Sequence, residues 1–265
     1  MGSATRQALA VSKAALADLG SAADLATAEN LFEAARVIGE SGQLRAAIAD
    51  PSAGARVKSE LIARVFGDRV SKPAATLLAS VASGRWSNQD DLLAAIEELG
   101  IRAAARSVGE RASLESELFA FGSAVTSDPQ LELALGSQLG SVEAKVSLVD
   151  ALLVGKANDA TIAIVRQLVR QPRGRSLRSS AAAAAAIVAD EAGLAIATVT
   201  SAVPLTSAQL ERLSGQLSTQ YSRRIKLNVL IDPAVIAGLR IRIGDDVVDG
   251  TIASRINDVK MRIAG

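Results

Sequence analysis

The sequence predicts a mainly α protein with a small α/β C-terminal module: two helical-bundle domains followed by a short mixed sheet with helices. Apolar residues recur at helical spacing through the first two-thirds of the chain, while period-two alternation is confined to stretches after Gly193. The helical pattern also runs twice, the second copy displaced by 87 positions. The expected divisions are an additional, duplicated helical bundle over 1–107, a second bundle over 108–192, and the α/β module over 193–265.

From the beginning of the chain, Ala8, Val11, Ala15 and Leu19 form a first stripe that ends at Gly20. Either Asp24 or Thr27 can open the next helix, which carries Leu31, Phe32, Ala35 and Ile38 on one face. A short helix with Leu44, Ala47 and Ile48 is broken by Asp50-Pro51. Val57, Leu61, Val65 and Phe66 make a stronger one, closed by Gly67. Ser71-Lys72-Pro73 starts another, with Leu77, Leu78 and Val81, and a long helix follows from about Asn88 to Val108.

The shift brings Leu31 onto Leu118, Phe32 onto Phe119, Gln43 onto Gln130 and Leu44 onto Leu131. It also brings Lys58 onto Lys145, and Ile62, Val65 and Phe66 onto Val149, Leu152 and Leu153. The pairs Gly84-Arg85 and Gly174-Arg175 recur as well, after a three-residue insertion. A period this long points to a duplicated domain, because solenoid units repeat every few tens of residues.

The α/β module opens with a strand from Gly193 to Val203, rich in small and β-branched residues and closed by Pro204. Thr206-Ser207-Ala208-Gln209 matches a capping box for a helix through Leu210, Leu213, Leu217 and Tyr221. In Ile225–Ile231 the odd positions are all apolar, and Asp232-Pro233 ends the run. Leu239–Ile243 alternates again with Arg240 and Arg242 facing water. Gly244-Asp245-Asp246 reads as a turn, Val247-Val248 as a return strand, Asp249-Gly250 as a second turn, and Thr251 as the cap of a helix with Ile252, Ile256, Val259 and Ile263.

This run of Asp232-Pro233, Gly238 to Asp245 and Val247 to Thr251 resembles the C-terminal signature of the ATP synthase δ subunit family, which includes the oligomycin-sensitivity-conferring protein of mitochondria. Ala237 and Thr251 stand where that family usually has Gly and Ser. The stretch from Leu114 to Gly265 resembles the whole δ arrangement, through Glu117-Leu118-Phe119, Asp128-Pro129-Gln130-Leu131, Glu143-Ala144-Lys145 and Gly174-Arg175. Residues 1 to about 107 are then additional, as in the long actinobacterial δ subunits. The resemblance implies a peripheral-stalk, or stator, protein of the F-type ATP synthase on the cytoplasmic face of the bacterial cell membrane. It implies a helical domain that binds N-terminal segments of the α subunits and a C-terminal module that meets the C-terminal helix of the b subunit. Asp232, Pro233, Gly238, Gly244, Asp249 and Gly250 are the signature positions. Leu239, Ile252, Ile256 and Val259 are candidate contacts to b.

Composition bounds the chemistry. Lys and Arg number 29 against 28 Asp and Glu, so no global field drives the chain onto nucleic acid or an acidic membrane. Hydrophobic residues make up 49% and aromatics only 2%, which favours closely packed, alanine-rich helices. With neither histidine nor cysteine, the common general base, nucleophile and metal ligands are missing, and no catalytic, cofactor or metal site is expected. Adjacent carboxylates such as Asp90-Asp91, Glu97-Glu98 and Asp245-Asp246 diverge along a helix or face water. The most apolar run, Ala181–Ala189, is about half the length of a bilayer crossing and reads as a buried helix segment, so membrane association is expected only through the complex. Arg166, Arg170, Arg173, Arg175 and Arg178 form a run with no acid among them. It reads either as a solvated helix end or as a docking surface for acidic partner helices, with Arg166 and Arg170 the candidate contacts.

Overall fold

The computed structural model describes residues 2–109, 113–137, 140–233, 235, 238–244 and 246–249. Its helical part contains α1 (Ser3–Leu19), α2 (Leu25–Glu40), α3 (Gly42–Ala49), α4 (Ala55–Phe66), α5 (Lys72–Ser83) and α6 (Gln89–Arg106). It continues with α7 (Leu114–Ser127), α8 (Pro129–Gly136), α9 (Val142–Leu153), α10 (Asp159–Arg170) and α11 (Leu177–Glu191). Short polar side chains set most of the starts by taking up backbone N–H groups that the first turn leaves free. Asp24, rather than Thr27, caps α2: its carboxylate accepts the Thr27 N–H and hydroxyl, both at 2.8 Å. Ser41, Ser71, Asn88, Asp128, Ser141 and Asn158 cap α3, α5, α6, α8, α9 and α10 in the same way.

The duplication is legible in the elements themselves. A displacement of 87 carries α3, α4 and α5 onto α8, α9 and α10 end to end, and α2 and α6 onto α7 and α11 within two residues. It also carries α1 onto α6 within one residue. Helix α6 is therefore the last helix of the first set and the first helix of the second. Its burial agrees with this double use. Leu92, Ile96, Leu99 and Ala103 are buried, as are their α1 counterparts Thr5, Leu9, Ser12 and Leu16. Leu93, Ile101 and Ala104 are buried too, although their counterparts Arg6, Ala14 and Ala17 are exposed. Where α2 crosses α6, a Cβ at Gly100 would stand 2.5 Å from the Phe32 ring, so only glycine admits this approach.

Some details depart from expectation. The buried line of α1 is Thr5, Ala8, Leu9, Ser12 and Leu16, and Val11 is 59% exposed. The pattern went astray because Thr5 and Ser12 are buried polar residues with hydroxyl partners: Thr5 donates to Asp91 at 2.6 Å, and Ser12 accepts from Ser80 at 3.4 Å. In α4 Phe66 is buried as expected, but the rest of the buried line is Lys58 and Ile62, one position off the expected Val57 and Leu61, because the Lys58 stem packs inward and burial holds its ammonium below the usual lysine range. The connection after α10 is one residue longer than that after α5, not three, so Gly174 (φ 72°) has no counterpart in Gly84 (φ −70°).

The chain divides into two compact units, 1–188 and 189–265. The second contains β1 (Leu194–Ser201), α12 (Ser207–Tyr221), β2 (Arg224–Ile231), β3 (Leu239–Ile243) and β4 (Asp246–Asp249). The sheet order is β2-β1-β3-β4, with β1 and β2 parallel and the other pairs antiparallel. The capping box at Thr206 and Gln209 is formed in both directions. Leu217 of α12 packs on Ala197, Val199, Ile225 and Ile241, with Leu213, Tyr221, Leu227 and Leu239 against that cluster. Ile231 lies at the end of β2 and is 56% exposed, so the four odd positions of that strand do not share one buried line. Asp246 belongs to β4 rather than to the turn. The helix expected after Thr251 lies outside the described residues. Among the described residues no helix is long and apolar enough to cross a membrane.

Replacing Gly100 by Val should cost about 1–3 kcal/mol of stability in chemical denaturation through overpacking against Phe32, and Phe32→Leu in the same chain should recover part of the loss. The Asp24 carboxyl is held below its ordinary value chiefly by the Thr27 N–H and then by the Thr27 hydroxyl. A depressed folded value means its contribution is present above the unfolded carboxylate value of about 3.9 and is lost as pH falls through the folded one. Urea unfolding of Asp24→Asn should accordingly lose less stability than the parent between about pH 5 and pH 2.

Candidate partner-binding surfaces

The signature residues after β2 build a hairpin and fasten it to the sheet. Beyond the last β1–β2 pair, the Asp232 N–H donates to the Ser201 carbonyl at 2.9 Å, and the Val235 N–H then turns back onto the Asp232 carbonyl at 3.0 Å. The Ser201 hydroxyl closes onto the Val203 carbonyl. Gly238 (φ 99°) and Gly244 (φ 58°) bracket β3 in the left-handed region, where a side chain is strained. Together these turns reverse β3 against β1 and return β4 along it, with the backbone of Asp249 opposite Arg240. The described signature positions thus act on the backbone, and Asp232 and Pro233 are exposed. Leu239 is half-buried against the sheet core. Gly250, Ile252, Ile256 and Val259, and the side chain of Asp249, lie outside the described residues.

The arginine run does not form one surface. Arg166 pairs with Asp150 at 2.7 Å, and this bond raises its already high pKa. Arg173 and Arg175 both reach Glu97 of α6, at 2.6 and 2.7 Å. Glu97 is 4% exposed, so this is an internal ion cluster rather than a solvated helix end. Burial is the main reason that the Arg173 guanidinium is held below its ordinary value, and Arg173 itself sits at φ 49°. The acids that answer these cations are supplied by other helices, which adjacency in sequence cannot show. Arg170 and Arg178 remain exposed. Arg170 also faces Arg36 of α2, whose pKa is lowered first by burial and then by this repulsion. Among the described residues no three acidic side chains converge in a way that could hold a metal ion.

The sequence gives no direct sign of one further feature, a groove of about 480 Å³ between α1 and the end of α5. Ala4, Gln7, Val11, Ser80, Ser83 and Arg85 contribute to its walls. Only the repeat register, read together with the exposure of Val11, marks it out.

Comparison with known proteins adds an independent line. Residues 101–263 match the family described as ATP synthase delta (OSCP) subunit, so the match begins inside α6. The ATP synthase subunit delta of Leifsonia xyli subsp. xyli is 54% identical over 265 residues, covering all of both chains. That of Streptomyces griseus subsp. griseus is 38% identical, again with full coverage of both. A chain in the cryo-EM structure of the Toxoplasma gondii mitochondrial ATP synthase hexamer aligns with a TM-score of 0.43 and 15% identity, over 63% of this chain and 95% of that one.

Removing the Glu97 carboxylate strands two cations that share it. Glu97→Ala should lower the stability of the helical unit by about 2 kcal/mol in urea unfolding, less than a fully buried pair because Arg175 is a third exposed. Arg178→Ala, on the exposed side of the same segment, should change it by less than about 0.5 kcal/mol.

Proposed function

The chain belongs to the ATP synthase delta (OSCP) subunit family, and from that premise we propose that it works without catalytic chemistry, as the clamp between the catalytic α/β head and the membrane-anchored b subunit. The observation that carries this reading is the family match over 101–263 together with relatives of the same name aligned from end to end. In this reading the helices of 1–107 and 108–192 hold N-terminal segments of α, and the module 193–265 meets the C-terminal helix of b. The clamp sits at the cytoplasmic face of the cell membrane and reaches the bilayer only through its partners.

The physical task suits the molecule. A stator must hold the head against the torque of a turning rotor, so it needs several contacts whose joint dissociation is slow. Two compact units, one helical and one built on a sheet, offer separate surfaces for separate partners. Helices laid against helices supply such contacts without a chemical site. Neither nucleic-acid binding nor turnover of a small substrate accounts for the hairpin signature at 232–249.

The reading is tested by co-purification from native membranes with the full chain and with a chain ending at residue 192. The full chain should bring down α, β and b, whereas the shortened one should keep the head and lose b. ATP synthesis driven by a proton gradient should fall to background with the shortened chain, while ATP hydrolysis by the head continues. Retention of b by the shortened chain would overturn the assignment of partners to segments.

A further inference from the structure

Strand β2 lies at the outside of the sheet, and its backbone faces two ways. In a parallel ladder alternate residues turn both N–H and C=O toward the neighbouring strand, and the residues between them turn both away. Two contacts fix which is which. At the start of β2 the Ile225 N–H donates to the Ser218 hydroxyl at 3.1 Å and the Ile225 carbonyl accepts the Ser214 hydroxyl at 2.7 Å, so Ile225 faces away from β1. Beyond its end the Asp232 N–H donates to the Ser201 carbonyl of β1 at 2.9 Å, so Asp232 faces inward. Lys226, Asn228 and Leu230 therefore hold the ladder, and Leu227, Val229 and Ile231 turn their backbone groups outward with Ile225.

The two serines of α12 close this edge at Ile225 and go no further. Among the described residues nothing bonds to the outward N–H and C=O of Leu227, Val229 or Ile231. Proteins ordinarily blunt such an edge with a charge, a proline or a bulge, because a bare one templates pairing with another chain. The run Leu227-Asn228-Val229-Leu230-Ile231 has no charge and no proline, and it pairs with β1 residue for residue, without a bulge. Short uncharged runs of this composition aggregate when nothing covers them.

Side chains alternate across the strand. Ile225 and Leu227 lie with the apolar cluster on the α12 side, which puts Arg224 and Asn228 on the other face. Arg224 is exposed and reaches the Ala192 carbonyl at 3.4 Å, and no carboxylate among the described residues pairs with it. A strand laid on this edge thus meets apolar side chains on one face and an unpaired guanidinium on the other.

We propose that the outer edge of β2 is a strand-addition site, pairing with an extended segment of the b subunit that is apolar toward α12 and carries a carboxylate toward Arg224. Main-chain hydrogen bonds from Leu227, Val229 and Ile231 supply the grip, and the alternating side chains select the partner. This assignment rests on the stalk reading above, which brings b to the module.

Amide hydrogen exchange of the full chain, resolved by residue and measured with and without purified b subunit in detergent, tests the edge directly. With b bound, the outward amides of Leu227, Val229 and Ile231 should slow about tenfold or more, while those of Lys226, Asn228 and Leu230, already held by β1, change little. Val229→Pro removes one outward donor and leaves the β1 ladder intact, so it should weaken b binding about tenfold. Should that variant melt early, Arg224→Glu tests the same edge by charge: it should weaken b binding several-fold, and added salt should shrink the difference. Unchanged exchange at the three outward amides in a complex with b, or normal b binding by whichever variant folds, would overturn the edge and leave the stalk reading standing. Slowing of those amides with rising concentration of the chain alone would overturn it in favour of self-association. Failure of the parent chain to bind b would instead remove the stalk reading itself.

Discussion

The helical unit depends on one helix being buried from two directions. An amphipathic surface helix needs a single apolar stripe, and α1 has one. Helix α6 needs two, because α2 covers one side while α10 and the segment after it cover another. Its sequence supplies both stripes, with Gly100 opened for Phe32 and Glu97 turned toward Arg173 and Arg175. A carboxylate in such a place costs desolvation, and a pair of arginines offsets that cost only when their geometry is good. Here the offset is incomplete, since Glu97 Oε2 and the Nε atoms of Arg173 and Arg175 carry no hydrogen-bond partner among the described residues. The cluster therefore serves to fix which segment meets α6 more than to add stability.

In the sheet unit the controlling constraint is backbone conformation. The strand β1 pairs parallel with β2 on one side and antiparallel with β3 on the other, so the chain must leave β2, reverse, and return along β1 within a few residues. Glycines at φ 99° and 58° make the two bends around β3 possible. A motif that identifies a family so readily is thus a set of folding instructions. Its described residues shape the hairpin, and binding surfaces are a separate property of the side chains displayed on it.

Much of this was legible in the chain because it is written locally. The start at Ser71, the stop at Asp50-Pro51 and the box at Thr206-Gln209 each act over three or four residues, and each holds in the structure. The 87-residue period was written in the apolar pattern, and in the structure the helix lengths repeat with it. What escaped depends on contacts between distant segments. Thr5 and Ser12 look like surface residues until their partners Asp91 and Ser80 are known. Lys58 looks exposed until its stem is packed. Arg166 in α10 and Arg175 after it look solvated because their partners Asp150 and Glu97 come from other helices, 16 and 78 residues away. The double role of α6 was hidden for the same reason: a boundary drawn at residue 107 by periodicity alone assigns that helix to one bundle.

Sharing a helix has a mechanical consequence. Two bundles joined by a linker would bend at the linker, with only its few contacts resisting. Two bundles that both pack on α6 can separate only by exposing one of its stripes and breaking the Glu97 cluster. The same arrangement explains why the two copies of the cleft, at α1–α5 and at α6–α10, differ. For the second bundle to use α6 as its first helix, α6 must still pair with α2, and α2 then lies across the cleft beside α10. The interlocking that joins the bundles and the filling of that cleft are one and the same contact, so the free copy of the groove is left at the end of the series, on α1 and α5.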